Sequence, residues 1–81
     1  MDIKIYTTPA CSWCKKLKEW LKKKRCSFQD LDVSESDKYR EELITKSGQV
    51  AVPVIEIDGQ IIIGFQEKVI EDALLKGKKQ G

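Results

Sequence analysis

Two thiols, Cys11 and Cys14, stand two residues apart in the stretch Cys11-Ser12-Trp13-Cys14. Thiols at this spacing can close a disulfide with each other, or can supply two ligands to a metal ion. The thiolate is the reactive form, and a free cysteine is mostly protonated near neutral pH. A cysteine at a helix N-terminus meets unpaired backbone N–H groups and the positive end of the helix dipole, both of which stabilise the anion. Residues from Ser12 to about Arg25 are mostly strong helix formers, which puts Cys11 at that end. Cys11 is therefore the expected nucleophile. Cys14, one turn in and more buried, is placed to attack a mixed disulfide formed on Cys11 and to leave a Cys11–Cys14 disulfide. Lys15 and Lys16 add nearby positive charge, and Ser12 offers a donor toward sulfur. A metal site would need further ligands. With three cysteines and no histidine, neither a Cys₄ nor a His-containing zinc site can form within one chain.

Other residues have two readings each. Val52-Pro53 is either a rigid start to a strand or a cis-proline loop beside Cys11 whose backbone pairs with an incoming peptide or thiol. Trp13 is a surface aromatic or an apolar platform for a partner disulfide. Tyr6 borders the same groove or is simply a strand residue. Phe65 packs inward or lines the groove with Trp13. Cys26 lies beyond the first helix and reads as a partly buried, inert thiol, with a regulatory thiol as the alternative.

The elements that must position these residues follow from periodicity. Ile3, Ile5 and Thr7 alternate with Asp2, Lys4 and Tyr6, a strand broken by Thr8-Pro9-Ala10. Cys14, Leu17 and Leu21 recur at helical spacing, with Trp20 covering the edge of that stripe. Phe28, Leu31 and Val33 mark a second strand. Ser34 is the expected cap of a second helix with Asp37 three residues on. Tyr39, Leu43 and Ile44 form its apolar face, and Ser47-Gly48 stops it. Val54–Ile57 and Gln60–Ile63 are β-branched runs joined by Asp58-Gly59, a strong hairpin signal. Gly64 ends the second run. Val69, Ile70, Ala73 and Leu74 form the face of a last helix, and the tail from Lys76 is expected to fray. The order βαβαββα predicts a parallel first pair of strands, an antiparallel last pair, and one four-stranded mixed sheet with three helices.

At 81 residues the chain fits a single domain, residues 1–81, with little room for an internal cavity. No apolar run approaches the ~20 residues of a membrane-spanning helix, and the N-terminus lacks a signal-peptide pattern, so a cytoplasmic location is expected. The net charge of +2 is uninformative, but its distribution is not. Lys15, Lys16, Lys18, Lys22, Lys23, Lys24 and Arg25 crowd one stretch against Glu19 alone. This is either a solvated helix face or a basic rim that steers anionic thiols or acidic proteins to the cysteines. No aromatic residues are interleaved for base stacking, which argues against nucleic acid.

These features together, with the segment Ile5–Lys15, Val52-Pro53, Asp58-Gly59 and Gly64-Phe65, resemble the glutaredoxin branch of the thioredoxin superfamily, particularly small bacterial glutaredoxin-like proteins. The likeness covers Ile3 to Leu75. It implies an α/β thioredoxin-like fold and a monomeric thiol–disulfide oxidoreductase that reduces protein disulfides and glutathione mixed disulfides. It also implies Cys11 as attacking thiolate, Cys14 as resolving thiol and Pro53 in cis. No resident cofactor or metal is implied; glutathione is the implied reductant. NrdH-type redoxins look similar but draw electrons from thioredoxin reductase. Of the family's glutathione contacts, the Val52 backbone and Gly64 carry over. Ile63 replaces the first of two glycines, and Phe65-Gln66-Glu67 replaces the pair that holds the glutamyl end. Thr8 stands for a common lysine, and Ala51 for a threonine. Gly64-Phe65-Gln66 leans toward the NrdH pattern, Ser12-Trp13 toward glutaredoxins. Serine rather than proline at position 12 leaves a further alternative, an iron–sulfur carrier bridged by Cys11 and glutathione.

Overall fold

The computed structural model describes residues 2–79. Seven elements follow in the expected order: β1 (Ile3–Thr7), α1 (Ser12–Lys23), β2 (Gln29–Asp32), α2 (Asp37–Ser47), β3 (Val54–Ile57), β4 (Gln60–Ile63) and α3 (Glu67–Lys79). The strands form one sheet ordered β2-β1-β3-β4. β1 and β2 are parallel, with Tyr6 opposite Leu31, because α1 carries the chain back across the sheet. β3 runs antiparallel to both β1 and β4, with Tyr6 opposite Val54 and Ile55 opposite Ile62. The β3–β4 turn needs left-handed backbone at both central positions, and Asp58 (φ 47°) and Gly59 (φ 91°) supply it.

The sheet is covered on both faces. One core joins Ile3, Ile5, Ile55, Ile57 and Ile62 of the sheet to Leu17 and Leu21 of α1 and Ile70, Ala73 and Leu74 of α3. The other packs Tyr6, Leu31 and Val54 against Leu43 of α2. Central strands therefore bury both sets of alternating side chains, which explains why Tyr6, the "polar" member of the β1 alternation, is fully buried. Trp20 and Phe28 flank the first core, as their spacing implied.

Several boundaries differ from the periodicity reading, each for a local reason. α1 stops at Lys23, not Arg25. Arg25 takes the left-handed conformation (φ 58°) and donates its N–H to the Lys22 carbonyl at 3.0 Å, while Cys26 N–H reaches back to the Leu21 carbonyl at 3.0 Å. This is a Schellman ending, with arginine where glycine is usual. β2 is shorter than expected, with Phe28 and Val33 flanking it. α2 is capped by Ser36, whose Oγ accepts the Tyr39 N–H, and not by Ser34. Ser34 is held by Asp32, whose Oδ1 accepts both its N–H and its hydroxyl, a local turn that competes with capping. Gly48 (φ 77°) ends α2 as expected. Ile44 and Val69, assigned to helix faces, are exposed at 42% and 39%. α3 continues helically from Lys76 to Lys79 instead of fraying; the expectation for Gln80 and Gly81 lies outside the described residues. No described helix is long and apolar enough to cross a membrane.

Candidate functional site

The turn between β1 and α1 sets the site. Thr8 carbonyl accepts the Cys11 N–H at 3.3 Å, and Cys11 then takes the extended conformation (φ −97°, ψ 111°) of a helix N-cap. Its sulfur does what a serine or aspartate oxygen usually does at that position: Sγ accepts the Cys14 N–H at 3.1 Å. The hydrogen bond and the amino end of α1, whose first turn contains no acidic residue, both favour negative charge on this sulfur. Cys11 is partly exposed, whereas Cys14 is completely buried, and both thiols are free. Burial first, then the hydrogen bond to Cys11, pushes the Cys14 thiol from its ordinary value of 9.0 up to about 12. One thiol is thus partly open to a partner and accepts a backbone N–H, and the other is buried beside it and held back as a neutral group.

Trp13, Val52, Pro53, Gly64 and Phe65 line one groove of about 280 Å³. Five residues singled out from the sequence thus come together from three separate parts of the chain. The Val52–Pro53 peptide is cis. Gly64 (φ 81°) donates its N–H to the Pro53 carbonyl at 2.8 Å, which ties the end of β4 to the proline loop. Trp13 is 56% exposed, a large apolar surface beside the thiols. Both readings of Phe65 hold: it packs against the core of α1 and α3, and its ring centroid lies 6.4 Å from that of Trp13.

The remaining candidates fall elsewhere. Gln66 is exposed and does not line the groove; its Nε2 donates to the Ile63 carbonyl at 2.6 Å and so fastens the Gly64-Phe65 turn. Ser12 and Lys15 are exposed in the first turns of α1. Of the two readings of Tyr6 the strand residue holds and the groove one does not: its side chain points to the α2 face, where the hydroxyl donates to Glu42 Oε2 at 3.4 Å and accepts from Lys46 Nζ at 3.0 Å. Burial outweighs those partners and raises the Tyr6 phenol. Lys46 also pairs with Glu56 at 2.7 Å, and that contact, followed by the one to Tyr6, raises the ammonium further. Cys26 packs beside the first core and donates weakly to the Lys24 carbonyl at 3.7 Å. It is the residue after the left-handed turn in the Schellman ending, where packing of this side chain against the core commonly accompanies the motif. It lies past the far end of a helix ~18 Å long, away from Cys11.

One cation, named from the sequence only as part of the basic stretch, stands near the thiols. Lys18 follows Cys14 by one helical turn, and its charge favours the Cys14 thiolate. Asp30 anchors Lys18 at 2.8 Å and also accepts the hydroxyl of buried Thr7. Burial pushes Asp30 up, but these two hydrogen bonds outweigh it and hold the carboxyl below its usual range. The signal was legible in the i, i+4 spacing of Cys14 and Lys18. Among the described residues, no three of histidine, cysteine, aspartate or glutamate are grouped to hold a metal ion.

Comparison with known proteins gives one consistent answer. The glutaredoxin family model matches residues 3–62. An uncharacterised glutaredoxin-like 8.6 kDa protein in a rubredoxin operon of Clostridium pasteurianum is 51% identical over 91% of this chain and 99% of its own length. Glutaredoxin 3 of Escherichia coli K12 is 39% identical over 89% of this chain and 87% of its own. The crystal structure of the thioredoxin-like protein BC3987 superposes with a TM-score of 0.83 at 29% identity, covering 89% of this chain and 99% of that one.

Proposed function

The chain belongs to the glutaredoxin family, and we propose that it is a dithiol reductase of protein disulfides, with Cys11 attacking and Cys14 resolving. The observation that carries this reading is the pairing of a partly exposed capping thiol, hydrogen-bonded from the Cys14 N–H at 3.1 Å, with a buried second thiol beside it. Cys11 thiolate attacks one sulfur of the substrate disulfide; that S–S bond breaks, and the other substrate sulfur leaves as a thiolate and takes up a proton. Cys14 then loses its proton and attacks Cys11 Sγ. The second substrate thiolate departs, and the electron pair given to the substrate is matched by a Cys11–Cys14 disulfide. The first half alone suffices to act on glutathione mixed disulfides.

For the return of electrons, the groove favours a protein reductase of the thioredoxin-reductase type. None of its lining residues carries a charge, and Lys16, over the Trp13 ring at 4.6 Å, is a single cation beside it for the two carboxylates of free glutathione. Glutathione is the second reading, supported by the Val52 backbone and Gly64, both of which line the groove. The test is NADPH oxidation with a small disulfide substrate, run once with glutathione and glutathione reductase and once with thioredoxin reductase. Turnover with thioredoxin reductase and little with glutathione supports a protein donor. The opposite pattern makes glutathione the donor. No turnover with either, from protein whose two thiols titrate, contradicts the reductase reading.

A further inference from the structure

The aromatic surface does not end at the groove. Phe65 lies between Trp13 and Trp20, with ring centroids 6.4 and 5.8 Å away. The three rings form a strip that leads from the thiols along α1. Beyond Phe65 it opens into a second depression of about 220 Å³, lined by Lys16, Glu19, Trp20, Lys23, Phe65 and Glu67. The disulfide chemistry makes no use of Trp20 or Lys23.

The charges beside this strip are unevenly committed. Lys16 lies over Trp13 at 4.6 Å and Lys24 over Trp20 at 4.8 Å, so a ring at each end already faces a cation. Lys24 also reaches Glu71 at 3.7 Å, and Lys18 is anchored by Asp30. Lys22 and Lys23 are exposed on the same helix, which has Glu19 as its one acid. A partner cation laid on this strip meets like charge at both indole rings. A partner carboxylate meets the ammonium groups of Lys16 and Lys23, which share the depression with Glu19 and Glu67; the surplus of lysine along α1, where Lys15, Lys16, Lys18, Lys22 and Lys23 stand against Glu19 alone, sets the sign of the field there. A partner apolar side chain meets Phe65 and Trp20.

We propose that the strip from Trp13 across Phe65 to Trp20 is a docking surface for disulfide-bearing protein segments that carry an acidic residue next to apolar ones. The carboxylate is received at Lys16 and Lys23 and the apolar side chains at Phe65 and Trp20. The proposal rests on the reductase reading and adds its substrate preference. Charge complementarity of this kind acts chiefly on the rate of encounter and fades with salt.

The experiment compares two disulfide-bridged peptides of one sequence that differ in a flanking glutamate or lysine. Their second-order reduction rates are measured beside that of hydroxyethyl disulfide, an uncharged small substrate. The wild-type protein should reduce the glutamate peptide about tenfold faster at low ionic strength, with the preference shrinking as salt is added. Lys23→Glu should turn the preference toward the lysine peptide while hydroxyethyl disulfide is reduced at an unchanged rate. Equal rates for the two peptides in the wild type, or a preference that survives Lys23→Glu, overturns the proposal. So does concentration-dependent self-association through Trp20 that peptide does not compete with, because the strip is then an interface between copies of the chain. Failure to reduce hydroxyethyl disulfide at all is a different result, which removes the reductase reading itself.

Discussion

Resolution by Cys14 is the step on which the structure places the firmest constraint. In the free dithiol, burial and the hydrogen bond to Cys11 together push the Cys14 thiol from 9.0 to about 12. Once Cys11 is tied up in a mixed disulfide it is no longer a thiol beside Cys14, so the share of that rise owed to Cys11 disappears and the share owed to burial stays. The thiolate fraction of Cys14 at neutral pH then lies between about 1% and about 0.001%. Across that whole range Cys14 sits far below its midpoint, and the resolution rate should climb about tenfold per pH unit between about pH 6 and about pH 8. Ellman's disulfide separates the steps, because attack by Cys11 releases one yellow thiolate and resolution by Cys14 releases a second. Stopped-flow absorbance on a Cys26→Ala background reads both phases without interference from the third thiol. Cys14→Ser should abolish the second phase and keep the first, since the N–H that holds Cys11 Sγ belongs to the backbone. A second phase with a flat pH profile would refute the reasoning, because the proton of Cys14 would then already be lost or be taken by another group.

Tyr6→Phe removes a buried hydroxyl with two partners but keeps the ring, and should cost about 1 kcal/mol, or roughly 4–8 °C in Tm, with hydroxyethyl disulfide turnover unchanged. A loss of activity at unchanged Tm would return Tyr6 to the substrate groove. Arg25→Gly relieves a left-handed arginine (φ 58°); net of the added freedom of the unfolded chain it should stabilise by roughly 0.5–1 kcal/mol, read as a higher urea midpoint at constant slope. Asp30 has a lowered folded-state pKa, so its contribution is present above the unfolded value of about 3.9 and is lost as pH falls through the folded one. Its ion pair is partly solvent-exposed, at 27% and 40%, so Asp30→Asn should cost under about 1 kcal/mol near neutrality and flatten the acid limb of the urea midpoint against pH.

What the sequence made legible, and what it hid, divides along physical lines. Positions whose conformation depends on their own residue were readable: Asp58-Gly59 at the hairpin, Gly48 ending α2, and Cys11 just ahead of a run of helix formers. The groove residues were named as separate suspects, but that Gly64 and Pro53 are joined by a hydrogen bond emerges only when β3 pairs with β4. Tyr6 was left between groove and strand because alternation distinguishes the two faces of a strand without telling which face is wet. In a sheet covered on both sides, neither is. Ser34 and Ser36 are equally good caps by type, and the choice was made by Asp32, whose carboxylate had already taken Ser34. The Schellman ending at Arg25 carried no glycine to announce it.

Mapping the disulfide of the oxidised protein tests the central claim most directly. The reduced chain is treated with a limiting amount of a small disulfide, free thiols are alkylated, and the peptides are identified by mass. The account predicts a monomer lighter by two hydrogens, with Cys11 linked to Cys14 and Cys26 alkylated. A bond that includes Cys26, or a mixture in which Cys14 stays alkylated while Cys11 retains the small thiol indefinitely, would contradict it.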